Sequence, residues 1–159
     1  MTVAVRGFAP SDRRSLERAI DAVCGEGEWM ATRRFEPTPA WRHALKAPAC
    51  CAHLLLVAEE ARQVVGWCRL FPADCQTAAG LLELGIGLLP EYRGRGLGDL
   101  LTRTALRWAG DQDAPRVTLS TRAGNAAAIA LFEKCGFVRT GCEAYGWLEM
   151  ERQSRSPGG

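Results

Sequence analysis

The stretch Leu81–Ala109, LLELGIGLLPEYRGRGLGDLLTRTALRWA, constrains this chain more than any other. An apolar run, a glycine-rich turn and a helical stripe follow one another in it without a break. Leu81–Leu89 carries one charge, Glu83, and stops at Pro90. Such a run, closed by proline, suits a strand buried on both faces. From Leu97 the period changes: Leu97, Leu100, Leu101, Thr104, Ala105 and Trp108 recur at three- and four-residue steps and lay one apolar stripe along a helix. Gly110 stands where that helix would end.

Between strand and helix lies Arg93-Gly94-Arg95-Gly96-Leu97-Gly98. The first amides of a helix have no intrahelical acceptor and sit at the positive end of its dipole. Glycines allow those amides to converge on one point. With two arginines alongside, the turn is a candidate site for a phosphate or pyrophosphate. A tight, solvated turn would use the same residues, and both readings stand at this level.

With 159 residues, the chain is expected to form one domain over residues 1–151, followed by a disordered tail from 152 to 159. Hydrophobic residues make up 47% and charged residues 24%, in the range of soluble globular proteins. A net charge of +2 is too small to argue for nucleic acid, which needs a clustered basic face. No apolar run reaches the length of a membrane span, and TVAVRGF lacks the apolar core of a secretory signal. A cytoplasmic location without membrane or nucleic-acid partners is therefore expected. The seven cysteines include no C-x-x-C pair, so no metal site is expected, and reduced thiols are. His43 and His53 read as ordinary structural or surface residues.

Taken in order, Thr2–Arg6 alternates as a strand, and Ser11 is placed to cap a helix with the stripe Leu16, Ala19, Ile20 and Val23. Thr38-Pro39 opens a second helix that would pack Trp41, Ala44 and Leu45. Leu54–Glu59 and Val64–Phe71 read as a hairpin turning at Ala61-Arg62. After the central unit come a strand at Val117–Thr121, a helix at Asn125–Cys135 ended by Gly136, and two strands, Phe137–Glu143 and Gly146–Glu151, turning near Tyr145. The order β-α-α-β-β-β-α-β-α-β-β gives an α/β (α+β) fold, a mixed sheet with helices on its faces.

The segment Pro90-x-x-Arg93-x-x-Gly96-x-Gly98 resembles the acetyl-CoA-binding signature of the GNAT N-acetyltransferase superfamily. Asn125-x-x-Ala128-x-x-Leu131-Phe132-x-Lys134-x-Gly136-Phe137 resembles its second signature. Two motifs in the right order, on the right elements, weigh more than either alone. The even spacing of Gly94, Gly96 and Gly98 departs from the dinucleotide fingerprint, and no G-K-[ST] supports a P-loop.

The resemblance implies a GNAT fold: a mixed, mostly antiparallel sheet of six to seven strands with about four helices, splayed to admit acetyl-CoA as cofactor. It implies transfer of the acetyl group to a primary amine of a small molecule or peptide; the alternative is an acyl-CoA-binding module without turnover. The diphosphate is expected on the amides of Gly94, Arg95, Gly96, Leu97, Gly98 and Asp99, with Arg93 and Arg95 adding charge. Leu88, Asn125 and Phe132 are expected to contact the rest of the coenzyme. Asn125 reads equally as a helix cap. Gly85 and Gly87 fit a bulge that splays the strand, or a relief of crowding.

Glu83 is the candidate base that deprotonates the ammonium, and a structural ion pair is the competing role. Many family members place a tyrosine where this chain has Phe132. Another donor, first Tyr145 and then Ser120 or Cys135, would have to protonate the thiolate, or water would suffice; core or surface packing is the other reading of Tyr145. Around the acceptor the resemblance puts Glu26, Glu28, Trp29, Asp74 and Glu143. A second copy of the chain could pair at an exposed last strand.

Overall fold

The computed structural model describes residues 2–73, 80–112, 114 and 116–153. The expected Asp74 contact falls outside them, as does Cys75. Strands β1 (Ala4–Gly7), β2 (Leu54–Glu60), β3 (Gln63–Pro72), β4 (Leu81–Leu88), β5 (Arg116–Arg122), β6 (Val138–Ala144) and β7 (Trp147–Gln153) form one sheet in the order β1-β2-β3-β4-β5-β7-β6. Helices α1 (Arg13–Gly25) and α2 (Pro39–Lys46) cover one face, and α3 (Leu97–Asp111) and α4 (Ala126–Lys134) the other. This is the mixed, mostly antiparallel sheet expected from the element order. β7 runs to Gln153, whose partner is Arg116, so the strand continues beyond the boundary expected at 151.

Two cores follow from the alternation of the strands. Toward α1 and α2, Val57, Trp67 and Phe71 bury Leu16, Ile20 and Val23 of α1 together with Trp41 and Leu45 of α2. Toward α3 and α4, Cys68, Leu70, Leu84 and Leu119 meet Leu101 and Ala105 of α3 and Phe132 of α4. Local signals set the turns between them. Thr38 Oγ1 accepts the Trp41 amide at 3.3 Å and caps α2. Ala61 and Arg62 both adopt positive φ, 51° and 66°, closing the β2–β3 hairpin with the twist that a two-residue turn requires.

Ser11 does not cap α1. It lies in a 3-10 turn, Pro10–Asp12, and α1 begins at Arg13 without a side-chain cap bond. Asp12 secures this entry instead. Its carboxylate accepts from Arg6 Nη1 and Nη2 at 2.7 and 2.8 Å and from the Ala9 amide at 2.8 Å, while Arg6 Nε also reaches Glu59 at 3.1 Å. The competing bond shifted the helix start because a buried carboxylate holding a guanidinium and an amide outweighs an exposed serine cap.

Of the two readings of Gly85 and Gly87, the bulge is absent from the pairing of β4 with β3. Its register with β3 runs unbroken from Gly66–Leu88 to Pro72–Leu82. Gly85 and Gly87 instead make room for long side chains crossing from β3. A Cβ at Gly85 would stand 2.7 Å from Arg69 Nε, and one at Gly87 would enter the Trp67 ring. The relief of crowding is the reading that the fold realises. Along its other edge, among the described residues, β4 pairs in parallel with β5 at Leu81–Arg116, Leu82–Val117 and Glu83–Thr118 alone. Beyond Glu83 the two strands part.

The Arg6 guanidinium holds the Asp12 carboxyl below its ordinary range, against the opposing effect of burial. Because the folded value lies below the unfolded one, this stabilisation is complete above about pH 4 and disappears as pH falls through the folded value. Asp12→Asn is expected to lower stability at pH 7 by on the order of 2 kcal/mol and to flatten the loss of stability below pH ~4, read from urea melts across that range.

Candidate functional site

The parting of β4 from β5 opens a cleft in the sheet, and two cavities lie along it. One, of about 510 Å³, lies along Gly87, Leu88, Gly94, Gly96, Gly98 and the start of α4. The other, of about 380 Å³, lies over Glu83 on the α1–α2 face. Trp29, Met30, Ile86, Asn125, Ala128 and Phe132 line both, so the two spaces meet at the mouth between the strands.

At the first cavity the backbone supplies the chemistry. Gly94 and Gly96 take φ of 75° and 83°, which side chains rarely tolerate, and Gly96 leads directly into α3. The first amide of this stretch to find an acceptor is that of Leu100, bonded to the Gly96 carbonyl at 3.1 Å. Among the described residues, the amides of 94–99 have no hydrogen-bond partner. A run of unbonded N–H groups at a helix start suits a group with several anionic oxygens. Leu97 is buried beneath the turn, and Gly98 faces Leu131 closely enough that a Cβ would stand 3.1 Å from Cδ2.

The charged side chains here are already engaged. Arg93 donates from Nε to the Leu88 carbonyl at 3.0 Å and from both Nη atoms to Glu26 at 2.9 and 2.6 Å. That pairing holds the Glu26 carboxyl below its usual range. Arg95 lies over the Tyr92 ring, its Cζ 5.1 Å from the centroid. The Asp99 carboxylate is turned to Arg103 Nε at 2.9 Å and Lys134 Nζ at 3.9 Å, and these hold its pKa down. Glu26 thus belongs to this cavity's rim as a partner of Arg93, away from the acceptor role expected for it.

The second cavity is aromatic. Trp29, Trp41, Trp67 and Trp147 line it, and Glu83 projects into it with Oε1 3.1 Å from Arg69 Nη2. Arg69 in turn lies over the Phe71 ring at 5.0 Å. Glu83 therefore has the ion-pair partner that its structural reading called for, and it also faces the cavity. Arg69, Trp67 and Trp147 were not expected here, and Trp41 was expected only as a core residue of the second helix. Arg69 did leave a signal, being the one charge in the apolar run Val64–Phe71, but nothing in the sequence aims it at Glu83.

The remaining expected residues separate. Asn125 Oδ1 accepts the Ala128 amide at 3.2 Å, so it caps α4 while lining both cavities. Phe132 is buried at their junction against Phe137. Ser120 lines the second cavity. Tyr145 is fully exposed at the β6–β7 turn with φ of 53° and lines neither cavity. Its sequence position beside a short hairpin turn makes it the tip of that turn, which points it out of the cleft. Glu28 and Glu143 are likewise exposed and line neither. Cys135 is buried, and its thiol donates to Asp99 at 3.8 Å. Burial pushes that thiol's pKa up, so it is a weak proton source for a departing thiolate.

Residues 18–137 match the model of the acetyltransferase (GNAT) family, and the chain belongs to that family. It is 33% identical over 149 residues to a mycothiol acetyltransferase of Salinispora tropica, an alignment covering 86% of this chain and 45% of that one. The chain spans less than half the length of the curated relatives it matches. Among solved structures it is similar to a GNAT-family acetyltransferase of Streptococcus pneumoniae, with a TM-score of 0.81 and 20% identity over 96% of this chain and 99% of that one. It is also similar to a phosphinothricin acetyltransferase of Sinorhizobium meliloti in complex with AcCoA, with a TM-score of 0.77 and 21% identity over 97% and 89%. Among the described residues, no helix is long and apolar enough to cross a membrane.

The packing of Trp67 over Gly87 places the wall between the two cavities under steric control. Gly87→Ala is expected to displace the indole and cost about 1–3 kcal/mol, seen as an earlier denaturant midpoint at unchanged m-value.

Proposed function

We propose that this chain transfers an acetyl group from acetyl-CoA to an amine of a small acceptor, by direct attack within a ternary complex. The observation that carries this reading is the parted β4–β5 edge with the run of unbonded amides at 94–99 beside it. The main chain of Gly94, Arg95, Gly96, Leu97, Gly98 and Asp99 would hold the diphosphate. The free edge of β4, ending at Leu88, would take the extended pantetheine arm as an added strand. Asn125 and Phe132 would flank the arm where the two cavities join. Bound there, the coenzyme supplies an acyl thioester to the mouth of the acceptor cavity. Phosphinothricin acetyltransferase of Sinorhizobium meliloti, of similar fold, is known in complex with AcCoA, which supports the assignment.

In this reading the acceptor lies against Trp29, Trp41, Trp67 and Trp147. A cavity of about 380 Å³ suits a small molecule or the end of a peptide, and indole faces favour a cationic or apolar body. An ammonium cannot attack, so Glu83 takes its proton, directly or through water, and Arg69 fixes the carboxylate. With Phe132 at the junction and Tyr145 facing solvent, the thiolate would be protonated by water or by Ser120. The same two observations favour a second reading, an acyl-CoA-binding module without turnover.

A panel of amines assayed for CoA release, beside calorimetry with acetyl-CoA, separates these readings. Binding with release supports transfer; binding without release supports the second reading; absence of binding sinks both. Glu83→Gln is expected to lower kcat/KM by about 10²-fold, most at low pH where the amine is protonated, with acetyl-CoA affinity unchanged. Gly96→Val, which strains the left-handed backbone and displaces the amides, is expected to weaken acetyl-CoA binding at least tenfold in the same calorimeter.

A further inference from the structure

We propose that His43, Cys50 and His53 form a site for a thiophilic divalent metal ion of the Zn²⁺ type, apart from both cavities. His43 stands on α2, His53 immediately precedes β2, and Cys50 lies in the turn between them. The turn is braced by the Ala47 amide on the His43 carbonyl at 2.8 Å and by the Cys50 amide on the Ala47 carbonyl at 3.0 Å. One ligand atom from each of the three side chains falls within 4.8 Å of the others. Among the described residues this is the one group of its kind. None of the three lines either cavity.

His53 is what points to a ligand. It is only 4% exposed, yet neither Nδ1 nor Nε2 has a hydrogen-bond partner. Buried polar atoms are almost always satisfied, and an orphaned imidazole asks for an explanation. Its ring neighbours are the edges and faces of His43, with centroids 5.4 Å apart, and Phe71, at 6.0 Å. A lone pair facing another imidazole and a thiol is what a metal ion takes up.

Two imidazoles and one thiolate are nitrogen and sulfur donors that suit Zn²⁺ and exclude the oxygen-seeking Mg²⁺ and Ca²⁺. With metal–nitrogen and metal–sulfur bonds of about 2.0 and 2.3 Å, the three protein ligand atoms of a tetrahedral site lie about 3.3–3.5 Å apart. The cluster reaches that spacing by rotation of the exposed His43 and the half-buried Cys50 about the fixed His53. Water completes the fourth position. On binding, the Cys50 S–H bond is exchanged for a sulfur–metal bond and one proton passes to solvent; nothing is oxidised or reduced.

The chain has no C-x-x-C pair, which is why no metal was expected; the spacing here is His-x₆-Cys-x₂-His, across a helix end and a strand start. An ion there would staple α2 to the sheet. Trp41 of α2 packs on Phe71 at 5.0 Å, and Phe71 faces His53, so the staple would stiffen one wall of the acceptor cavity. This proposal stands whatever the acceptor is, and its test does not involve acetyl transfer.

The full chain, stripped of metal with a chelator, is titrated with Zn²⁺ against a chromogenic chelator and with Co²⁺ by absorption. One ion per chain is expected, with a thiolate-to-cobalt charge-transfer band, release of one proton and a raised melting temperature in Zn²⁺. Cys50→Ser and His43→Ala alter a half-buried and an exposed side chain outside both cores and should stay folded by circular dichroism, each weakening Zn²⁺ on the order of 100-fold or more. Cys142→Ser, in the exposed β6, should bind as the parent does. Failure to bind Zn²⁺, a cobalt complex without the thiolate band, or undiminished affinity in both variants would overturn the proposal.

Discussion

Three residue pairs hold β4 and β5 together, and the cleft with its two cavities depends on the pairing ending there. A parallel ladder that continued past Glu83 would close the sheet and leave no route between its faces. Because it stops, the far half of β4 keeps an open edge beside the glycine turn, and main-chain groups exposed in this way need partners. The start of α3 presents a second set of unbonded groups in the same place. Strand edge and helix start together define a long, narrow site in which one ligand could satisfy both.

Charge is distributed so that this site stays uncommitted. Arg93 is bound to Glu26, Arg103 to Asp99, and Arg69 to Glu83. Those three acids are thereby neutralised, and an anionic ligand would meet amides and a helix dipole more than free cations. The Arg93–Glu26 pair also ties the glycine turn to the end of α1, which couples the rim of one cavity to the helix layer above the other. On that opposite layer, α2 and the start of β2 bring two histidines and a thiol together behind Phe71. The aromatic chain Trp41, Phe71, His53 connects this corner to the second cavity by packing alone.

Much of the fold was legible because its signals are local. The Thr38 cap, the Ala61-Arg62 turn and Gly136, with φ of 94°, lie within a few residues of the elements they bound. Ser11 misled because its rival, Asp12, is held by an arginine from the preceding strand, a tertiary contact that no cap rule contains. Gly85 and Gly87 were ambiguous for the same reason. Their purpose depends on which side chains of β3 lie across from them, and that is a matter of register. Tyr145 looked eligible as a donor only because its orientation at a hairpin tip is invisible in sequence.

By itself, then, the chain's order of residues determined the strand–glycine turn–helix unit, since the positive φ of Gly94 and Gly96 and the start of α3 follow from local dihedral preferences alone. It also determined the family, through two motifs carried on single elements. Only the tertiary structure decided how Glu83 meets Arg69, which four tryptophans wall the second cavity, and that His43, Cys50 and His53 converge. Those arrangements join residues from different strands and helices. Their geometry is set by sheet register and helix packing, which neighbouring residues in the sequence do not encode.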